Sequence, residues 1–314
     1  MPRVSVGVPV YNGEKYLAET LDSLLAQSLE EFEIVISDNA STDRTAEISR
    51  SYQAKDPRIR YFRNDRNIGA APNFNRVFEL ARAPLFHGGA CDDLYHPRFL
   101  ERCVEVLDRD QGVVLSHART RLIGEKGEPL AFDAERNCYI DSYGDLRGTS
   151  GDVMRPQPFR IGEAASPAKR FREVLWLMGW SLPLCGVIRT AALRQTALYR
   201  SYSGADKVLL AELVLKGRFH EIGDELFAKR MHRECTHYMT TRERAKHELN
   251  GEDGIPQVRM LQDYTRMTWS ADLSIGQRLH CMVTIVGMAR RPDVWRRLVV
   301  PGPDNFLGLS FASK

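Results

Sequence analysis

The chain has 314 residues, of which 43% are apolar and 27% charged, and its formal net charge is +3. These values are typical of a globular protein with a sizeable core, and the charge is too small to predict nucleic acid as a main partner. The six cysteines are scattered without a Cys-x-x-Cys pair, which argues against both a zinc site and a disulfide framework.

The N-terminal segment and the hydropathy of the chain bear on its location. Residues 1–10 lack the basic start and the apolar core of a signal peptide. No stretch approaches the roughly 18 consecutive apolar residues that a membrane span requires. We therefore expect a cytoplasmic protein, which at most touches the inner face of a membrane.

Short apolar strands alternate with helical patterns over the first 120 residues. The strand segments are rich in β-branched and aromatic residues, and the helical segments carry apolar residues three or four positions apart. This alternation predicts an α/β fold with a mostly parallel sheet covered by helices on both faces. The predicted strands are residues 4–8, 32–36, 59–62, 84–86 and 112–115, and a helix follows each of the first four.

Polar residues collect where the predicted strands end. Asn12, Asp38, Asn67 and the pair Asp92-Asp93 follow the first four strands. Because parallel strands end at one edge of a sheet, these residues should converge on a ligand site. Adjacent carboxylates on such a loop suit a hard divalent cation held together with phosphate oxygens. The pair taken alone fits a helix-entry turn at least as well, since Asp is a good turn and cap residue.

Four segments in this half carry a family resemblance. Neither a Gly-rich dinucleotide fingerprint nor a P-loop lysine motif is present. Instead, residues 4–14 (VSVGVPVYNGE), residues 34–43 (IVISDNASTD), Asn67-Ile-Gly69 with Asn75, and Cys-Asp-Asp at 91–93 resemble, in this order, the motifs of family 2 glycosyltransferases. The resemblance is strong over about residues 3–120. It implies a GT-A fold and inverting transfer of a sugar from a nucleotide-diphospho-sugar donor.

The resemblance also implies roles for individual residues. The segment from Pro9 to Glu14 would line the base and ribose pocket, and Asp38 would accept hydrogen bonds from the base. Asp92 would bind Mg²⁺ or Mn²⁺ on the donor diphosphate, with Asp93 and His232 completing the metal site. A simple turn or cap role is equally open for Asp43. The donor-binding residues that the resemblance implies are Pro9, Tyr11, Asn12, Glu14, Asp38, Asn39, Asn67, Gly69, Asn75, Cys91, Asp92, Gly186 and Arg230.

The metal motif departs from the family pattern at one position. Ala90 stands where the family's Asp-x-Asp motif has its first aspartate, which leaves Cys91, Asp92 and Asp93 after it. The metal would therefore have one contact fewer, direct or through water. For this reason the resemblance supports nucleotide-sugar binding more strongly than a strict need for metal.

The general base falls at the start of a predicted helix. Residues 203–217 show a strong helical pattern that ends at a glycine. The family places its base on a Glu-Asp pair just before the corresponding helix, and this chain has Ala205-Asp206 there. Inverting transfer requires a base because the acceptor hydroxyl loses its proton as it attacks. We interpret Asp206 as that base, with helix N-cap as its structural alternative.

Four further segments of the second half have a predicted structure. Residues 182–189 are predicted as a strand in which Gly186 either permits close approach of the ligand or forms a bulge. Residues 219–223 and 226–232 are predicted as two closing strands, and Arg230-x-His232 resembles a family motif in which the Arg faces the diphosphate and the His joins the metal. Helix 171–178 carries Trp176, for which core packing is favoured over stacking on a sugar.

The remaining C-terminal residues are predicted to form an extension. Two amphipathic helices are indicated near residues 258–265 and 275–286. They lead into basic residues around Trp295, a pattern compatible with a peripheral membrane contact or with packing on the domain itself. We divide the chain into a nucleotide-sugar-binding half (1–122), an acceptor and catalytic half (123–233) and this helical extension (234–314).

These observations lead to three hypotheses for the function. The first is a glycosyltransferase that acts on a carbohydrate or lipid-linked sugar acceptor in polysaccharide or glycolipid synthesis. The second is a non-catalytic nucleotide-sugar-binding or scaffold protein on the same fold, since Ala90 and Ala205 each replace an expected carboxylate. The third, a nucleotidyltransferase, is weakened because no phosphate-binding Gly/Lys loop is present.

Overall fold

A single curled sheet with helices on both faces organises the computed structural model. The structure describes residues 1–135, 138–140, 160–235, 255–291 and 295. Eight strands form the sheet in the order β3-β2-β1-β4-β9-β6-β10-β5, and β7 and β8 form a separate hairpin. The strands are β1 (Val4–Val10), β2 (Phe32–Asp38), β3 (Ile59–Arg63), β4 (Leu85–Gly88), β5 (Leu94–Tyr95), β6 (Val113–Ile123), β7 (Ala131–Asp133), β8 (Cys138–Ile140), β9 (Val187–Arg189) and β10 (Arg218–Arg230).

The helices cover the sheet in two layers. One apolar core packs α1 and α4 against one face, and a second core packs α3, α5 and α7 against the other. Both β1 and β2 are buried along their whole length, as expected for central strands of a covered sheet. The helices are α1 (Leu17–Leu25), α2 (Thr45–Lys55), α3 (Ala70–Leu80), α4 (Phe99–Arg109), α5 (Pro167–Leu177), α6 (Thr190–Leu193), α7 (Ala205–Lys216), α8 (Pro256–Ser270) and α9 (Ile275–Ala289).

The predicted fold class is confirmed, with two antiparallel exceptions in the sheet. Strands β1 to β4 pair in parallel, and β6 pairs in parallel with β10. However, β9 lies antiparallel between β4 and β6, and the two-residue strand β5 pairs antiparallel with β10. Both strands are too short to show the periodicity from which strands are predicted.

Three local predictions for the second half were wrong. Residues 182–185 form a 3₁₀ turn, and only residues 187–189 are a strand; Pro183 within the turn has no N–H to donate to a sheet. The two predicted closing strands are one strand, β10, with register shifts between Ile222 and Phe227. Trp176 is 40% exposed rather than packed in the core, because it lies off the buried stripe of α5.

The predicted helical extension contains α8 and α9, which pack on the domain. Residues of both helices, including Tyr264 and Ile285, belong to the core that α5 and α7 share. Within the described ranges, no helix is both long and apolar enough to cross a bilayer. Of the basic segment around Trp295, residues 292–294 and 296–297 lie outside the described residues. The predicted boundary at residue 122 falls inside β6, and the division into halves stays a prediction.

Candidate functional site

The loop that follows β1 is fastened to the start of α2. Asn12, whose φ is 52°, accepts the backbone N–H of Thr42 on its side-chain oxygen at 2.9 Å. Glu14 donates its backbone N–H to the carboxylate of Asp43, also at 2.9 Å. These side chains therefore fix the shape of the loop, as the turn interpretation of Asp43 proposed. Tyr11 in the same loop is 46% exposed, so its ring is open to a ligand.

Asp38 presents a fully buried carboxylate at the end of β2, beside Val10 of β1. Its oxygens accept the backbone N–H of Ser41 (2.8 Å), the hydroxyl of Tyr61 (2.7 Å) and the guanidinium of Arg63 (2.9 Å). Three donors orient the carboxylate, and Arg63 keeps 39% of its side chain exposed. The site thus has a preoriented acceptor next to the end of β1, where Pro9 is buried within the strand.

Asn39 holds together the loop that leads into α3. Its amide nitrogen donates to the side chain of Asn67 (2.8 Å) and to the carbonyl of Gly69 (3.2 Å). Its amide oxygen accepts from Asn64 (3.0 Å) and from the backbone of Ile68 (2.9 Å). These four bonds use the full capacity of the amide. Asn39 and Asn67 therefore build the wall of the site, and Gly69 supplies the positive φ of 90° that precedes α3.

Asn75 joins α3 to the segment before α7. Its side chain donates to the carbonyl of Tyr199 and accepts the Tyr199 N–H, both at 2.9 Å. The amide thus pairs with the backbone as a neighbouring strand would. Burial and, to a smaller extent, the charges of Cys185 and Asp206 raise the pKa of Tyr199. Asn75 therefore positions a tyrosine close to the predicted base.

Asp92 and His232 meet at the end of β4 and β10. Nε2 of His232 lies 2.8 Å from Oδ2 of Asp92, although the two residues are 140 positions apart. Burial acts to raise the pKa of Asp92, but the hydrogen bond from His232 and the charge of Lys229 outweigh it, and the pKa is lowered. Cys91 beside them keeps its proton, since burial and the charge of Asp92 raise its pKa. The structure thus brings together Asp92 and His232, two of the residues predicted as metal ligands, and their role as ligands stays a prediction.

Asp93 turns away from this pair into the protein. One carboxylate oxygen accepts the backbone N–H of Arg230 at 2.9 Å. The other lies 3.9 Å from the ammonium of Lys229 and has no hydrogen-bond partner. Burial and the neighbouring charge of Asp92 raise the pKa of Asp93. The residue therefore braces the loop on β10, and its place among the predicted metal ligands stays a prediction.

Arg230 is 1% exposed and fully engaged inside the protein. Its guanidinium donates to the carbonyls of Asp92 (2.8 Å) and Glu125 (2.9 Å) and to the carboxylate of Glu19 (2.7 Å). It also stacks over the ring of Tyr16 at 4.8 Å. In this arrangement Arg230 holds the Asp92 loop in place, and its guanidinium does not face an open diphosphate pocket as predicted.

Asp206 lies in the first turn of α7, where Gly204 rather than Asp206 is the N-cap residue. Its carboxylate is half-buried and accepts no hydrogen bond from the residues that the structure describes. The helix N-terminus stabilises negative charge there. The charge of Asp206 contributes, after burial, to raising the pKa of Tyr199 and of Tyr264. The negative charge of Asp206 thus acts on both tyrosines, whose raised pKa values keep them protonated.

Gly186 is explained by packing within the protein. A Cβ at this position would lie 2.3 Å from the carbonyl oxygen of Ser116 and 2.7 Å from Cβ of His117. Its own carbonyl lies 2.9 Å from Nδ1 of His87. Neighbouring backbone therefore occupies the space that the glycine leaves, which differs from the close ligand approach that was predicted.

The donor set at Asp92 suits a divalent cation that is shared with phosphate. One carboxylate and one imidazole within hydrogen-bond distance are ligands that Mn²⁺ accepts, and Mg²⁺ is usually held by one or two carboxylates plus substrate phosphates. The described residues contain no group of three or more His, Cys, Asp or Glu side chains with metal-site geometry. The residues present therefore fit a metal only if the diphosphate supplies further ligands.

Two features of the site were missed from the sequence. Lys229 lies beside Asp93, and nothing in the spacing of β10 singles it out. Tyr61 and Arg63 both bind Asp38, and here a signal existed: residues two apart on a strand point to the same face. The parallel pairing of β2 with β3 then brings both side chains to Asp38.

Comparison with known proteins gives a family match over the first half of the chain. Residues 5–156 match the model of glycosyl transferase family 2. An uncharacterized glycosyltransferase of Rickettsia felis is 35% identical over 134 residues, which are 42% of this chain and 22% of that protein. The chain spans less than half the length of the curated relatives that it matches first.

Solved structures show the same fold over nearly the whole chain. Residues 1–349 of S. aureus TarS, in complex with UDP-GlcNAc, superpose with a TM-score of 0.65 and 19% identity, covering 96% of this chain and 76% of that one. The mannosyltransferase PcManGT of Pyrobaculum calidifontis, in complex with GDP-Man and Mn²⁺, gives a TM-score of 0.53 at 16% identity, covering 96% and 77%. At these identities the likeness establishes the fold.

Proposed function

The chain belongs to family 2 of the glycosyltransferases and has a GT-A fold, and we propose that it transfers a sugar from a nucleotide-diphospho-sugar to an acceptor hydroxyl with inversion. The observation that carries the proposal is the contact of Asp92 with His232 at 2.8 Å. It lies at the same sheet edge as the preoriented carboxylate of Asp38. Solved structures of this fold hold UDP-GlcNAc in one case and GDP-Man with Mn²⁺ in another.

Each half of the donor would have its own contacts. The base would lie over the end of β1 near Tyr11, with its N–H groups directed at Asp38. Arg63, the most exposed donor to Asp38, is the group that would yield to the base. Asp92 and His232 would hold Mg²⁺ or Mn²⁺ together with the diphosphate. When bound, the metal supplies positive charge that stabilises the departing diphosphate.

Asp206 would serve as the general base. In a single displacement the acceptor oxygen attacks the anomeric carbon as the diphosphate leaves from the opposite side, and the hydroxyl proton passes to a carboxylate. Asp206 has no hydrogen-bond donor among the described residues that would compete for its oxygens. The acceptor would be a carbohydrate or a lipid-linked sugar, as in polysaccharide or glycolipid synthesis.

The test measures the release of nucleoside diphosphate from a panel of UDP- and GDP-sugars with Mn²⁺, with and without sugar acceptors. We expect Asp206→Asn to lower transfer by about a hundredfold or more, since general bases contribute about 10²–10⁴-fold. The same variant should retain nucleotide binding in a thermal-shift assay. The matched control is Asp224→Asn, whose side chain is 61% exposed on β10. Full transfer by Asp206→Asn would exclude Asp206 as the base.

Ala90 and Ala205 favour one alternative, a nucleotide-sugar-binding protein without catalysis. Each replaces a carboxylate that the family pattern would supply. This alternative predicts that nucleotide sugars stabilise the protein but are neither hydrolysed nor transferred, with or without metal. Release of pyrophosphate instead of nucleoside diphosphate would indicate a nucleotidyltransferase.

A further inference from the structure

Helix α9 presents an apolar stripe to solvent. The stripe consists of Ile275, Leu279, Val283 and Val286, which are 81%, 62%, 71% and 46% exposed. Their spacing of four, four and three residues places them on one side of the helix, within one narrow arc. Single exposed apolar residues are ordinary, but a continuous row over three turns is unusual for a surface that meets only water.

The opposite side of α9 is already used by the core. Cys281, Ile285 and Met288 are at most 6% exposed and pack with α5 and α8. The helix is therefore apolar on two sides. The core of the protein covers one side, and the stripe on the other side is exposed. A helix of this kind requires a second apolar environment on its open side. Trp269, 61% exposed, lies beside Arg278 of α9, and Trp176, 40% exposed, lies beside Gly287.

Within α9 and at the two positions that follow it every charged residue is basic, whereas exposed Asp272 precedes the helix. Residues 274–291 contain three arginines and neither Asp nor Glu. The guanidinium of Arg278 lies over the ring of Trp269 at 5.2 Å, and that of Arg291 lies over Trp176 at 5.4 Å. Arg290 is exposed at the end of the helix. The aromatic rings and the cations thus lie together at the margin of the stripe.

We propose that this apolar stripe docks on the surface of a lipid bilayer that contains anionic lipid. An amphipathic helix that lies in the interface has an apolar side toward the acyl chains, tryptophan at the headgroup level and arginine near the lipid phosphates. The negative surface potential of such a bilayer attracts the arginines. The docking holds whether or not the proposed activity is correct.

Charge also argues against two other occupants of the stripe. In a two-fold dimer the stripe would meet its own copy, and α9 would bring the arginines of both copies together with no carboxylate of its own. The C-terminal residues 296–314 contain Arg296, Arg297 and Lys314 but only one acidic residue, Asp304. The basic residues of this segment outnumber its one carboxylate, so it would add positive charge beside the arginines, whereas anionic lipid supplies negative charge.

Vesicle sedimentation tests the proposal on the full chain. The probes are vesicles of phosphatidylcholine alone and vesicles in which a third of the lipid is phosphatidylglycerol. We expect binding to the anionic vesicles, and a loss of about tenfold or more in the variant Ile275→Ser/Leu279→Ser/Val283→Ser. These side chains are exposed, so the variant should fold, which circular dichroism checks. The control is Phe132→Ser, which removes an exposed ring from β7.

Three results would overturn the proposal. They are no binding of the unchanged protein to anionic vesicles, equal binding of the triple variant, and a dimer by light scattering that the triple variant converts to monomer. The last result would assign the stripe to a second copy. Donor hydrolysis in the absence of lipid should be the same for the unchanged protein and the triple variant, which separates this proposal from the proposed function.

Discussion

The charged side chains of the site differ in how far hydrogen bonds within the protein already occupy them. Arg230 uses its guanidinium on two carbonyls, a carboxylate and the Tyr16 ring. Asp92, whose carbonyl Arg230 holds, keeps its side chain 21% exposed beside His232. A buried guanidinium that makes three hydrogen bonds and an aromatic contact is costly to release. Arg230 therefore positions the loop, and Asp92 and His232 are the residues to which we assign the metal in the proposed function.

The metal assignment predicts a specific effect of His232→Gln. The glutamine keeps a polar group but removes the imidazole ligand. We expect the tightening of nucleoside diphosphate binding by Mn²⁺ to fall by about tenfold or more, with metal-free binding nearly unchanged. Isothermal titration calorimetry with UDP and GDP, with and without Mn²⁺, measures both quantities.

A second histidine on β10 supplies the control for this prediction. His220 has 44% of its side chain exposed and lies in the ladder that pairs β10 with β6. His220→Gln should leave the response to Mn²⁺ unchanged. If His232→Gln also retains the full response, His232 is not a metal ligand.

At the scale of the elements, the insertion of β9 between β4 and β6 depends on one glycine. Gly186 ends the 3₁₀ turn and starts the antiparallel strand, directly against the backbone of Ser116. Only a residue without a Cβ fits at this distance, so the constraint is steric. Gly223, in the irregular part of β10, has nothing within 4 Å of the position where its Cβ would be.

This contrast predicts opposite outcomes for two glycine-to-alanine changes. Gly186→Ala should lower the free energy of unfolding by about 2–3 kcal/mol, because overpacking forces neighbouring backbone to shift. Gly223→Ala should change it by less than about 0.5 kcal/mol. Urea unfolding followed by circular dichroism measures both. If both variants change the free energy of unfolding equally, the backbone around Gly186 accommodates a Cβ without losing stability.

The elements that could be predicted from the sequence are those with a repeating pattern. Strands β1 to β4 and helices α1 to α4 follow from runs of apolar residues and their periods. The single bulged strand β10 could not be predicted, because Gly223-Asp224 reads as a turn while the ladder continues through it. The two-residue strand β5 carries no periodicity of its own.

The sequence predicts the position of the site more accurately than the role of each residue in it. The convergence of strand ends predicted that Asp38 and Asp92 lie at one sheet edge, and the family resemblance singled out His232, which contacts Asp92. The role of Asp206, which also comes from the resemblance, stays a prediction. Roles depend on which hydrogen bonds the protein itself satisfies, and one-dimensional spacing does not contain that information. Asn39 illustrates this, since all four of its hydrogen bonds go to the loop before α3.

At the scale of the whole molecule, the extension connects the predicted base to the apolar stripe. The side chain of Met260 in α8 packs at Gly204, just before Asp206. Helix α9 shares the core of α5 and α7 through Ile285 and Met288. The stripe and the base therefore belong to one packed helical layer. In the proposed function, a membrane bound at the stripe would hold a lipid-linked acceptor near this layer.

The buried histidines His87 and His117 make the stability of the whole fold depend on pH. His87 lies in β4 and is 0% exposed; its Nδ1 lies 2.9 Å from the carbonyl of Gly186, and its Nε2 has no hydrogen-bond partner among the described residues. Burial lowers the pKa of each histidine to about 4. In the unfolded chain both should titrate near their usual value of about 6.5.

Between these two pKa values the unfolded chain binds a proton at each histidine and the folded protein does not. The free energy of unfolding is therefore not reduced by these histidines above about pH 6.5. As the pH falls from there toward 4, it decreases by roughly 1 kcal/mol per pH unit for each histidine. Urea unfolding from pH 7 to pH 4 should show this slope on top of the slope from the carboxylates. His87→Gln should reduce the slope by one histidine's share, whereas His280→Gln, at an exposed position of α9, should not. If the slope is unchanged in His87→Gln, His87 does not differ in protonation between the folded and the unfolded protein, and the assignment of His87 as a neutral buried histidine is wrong.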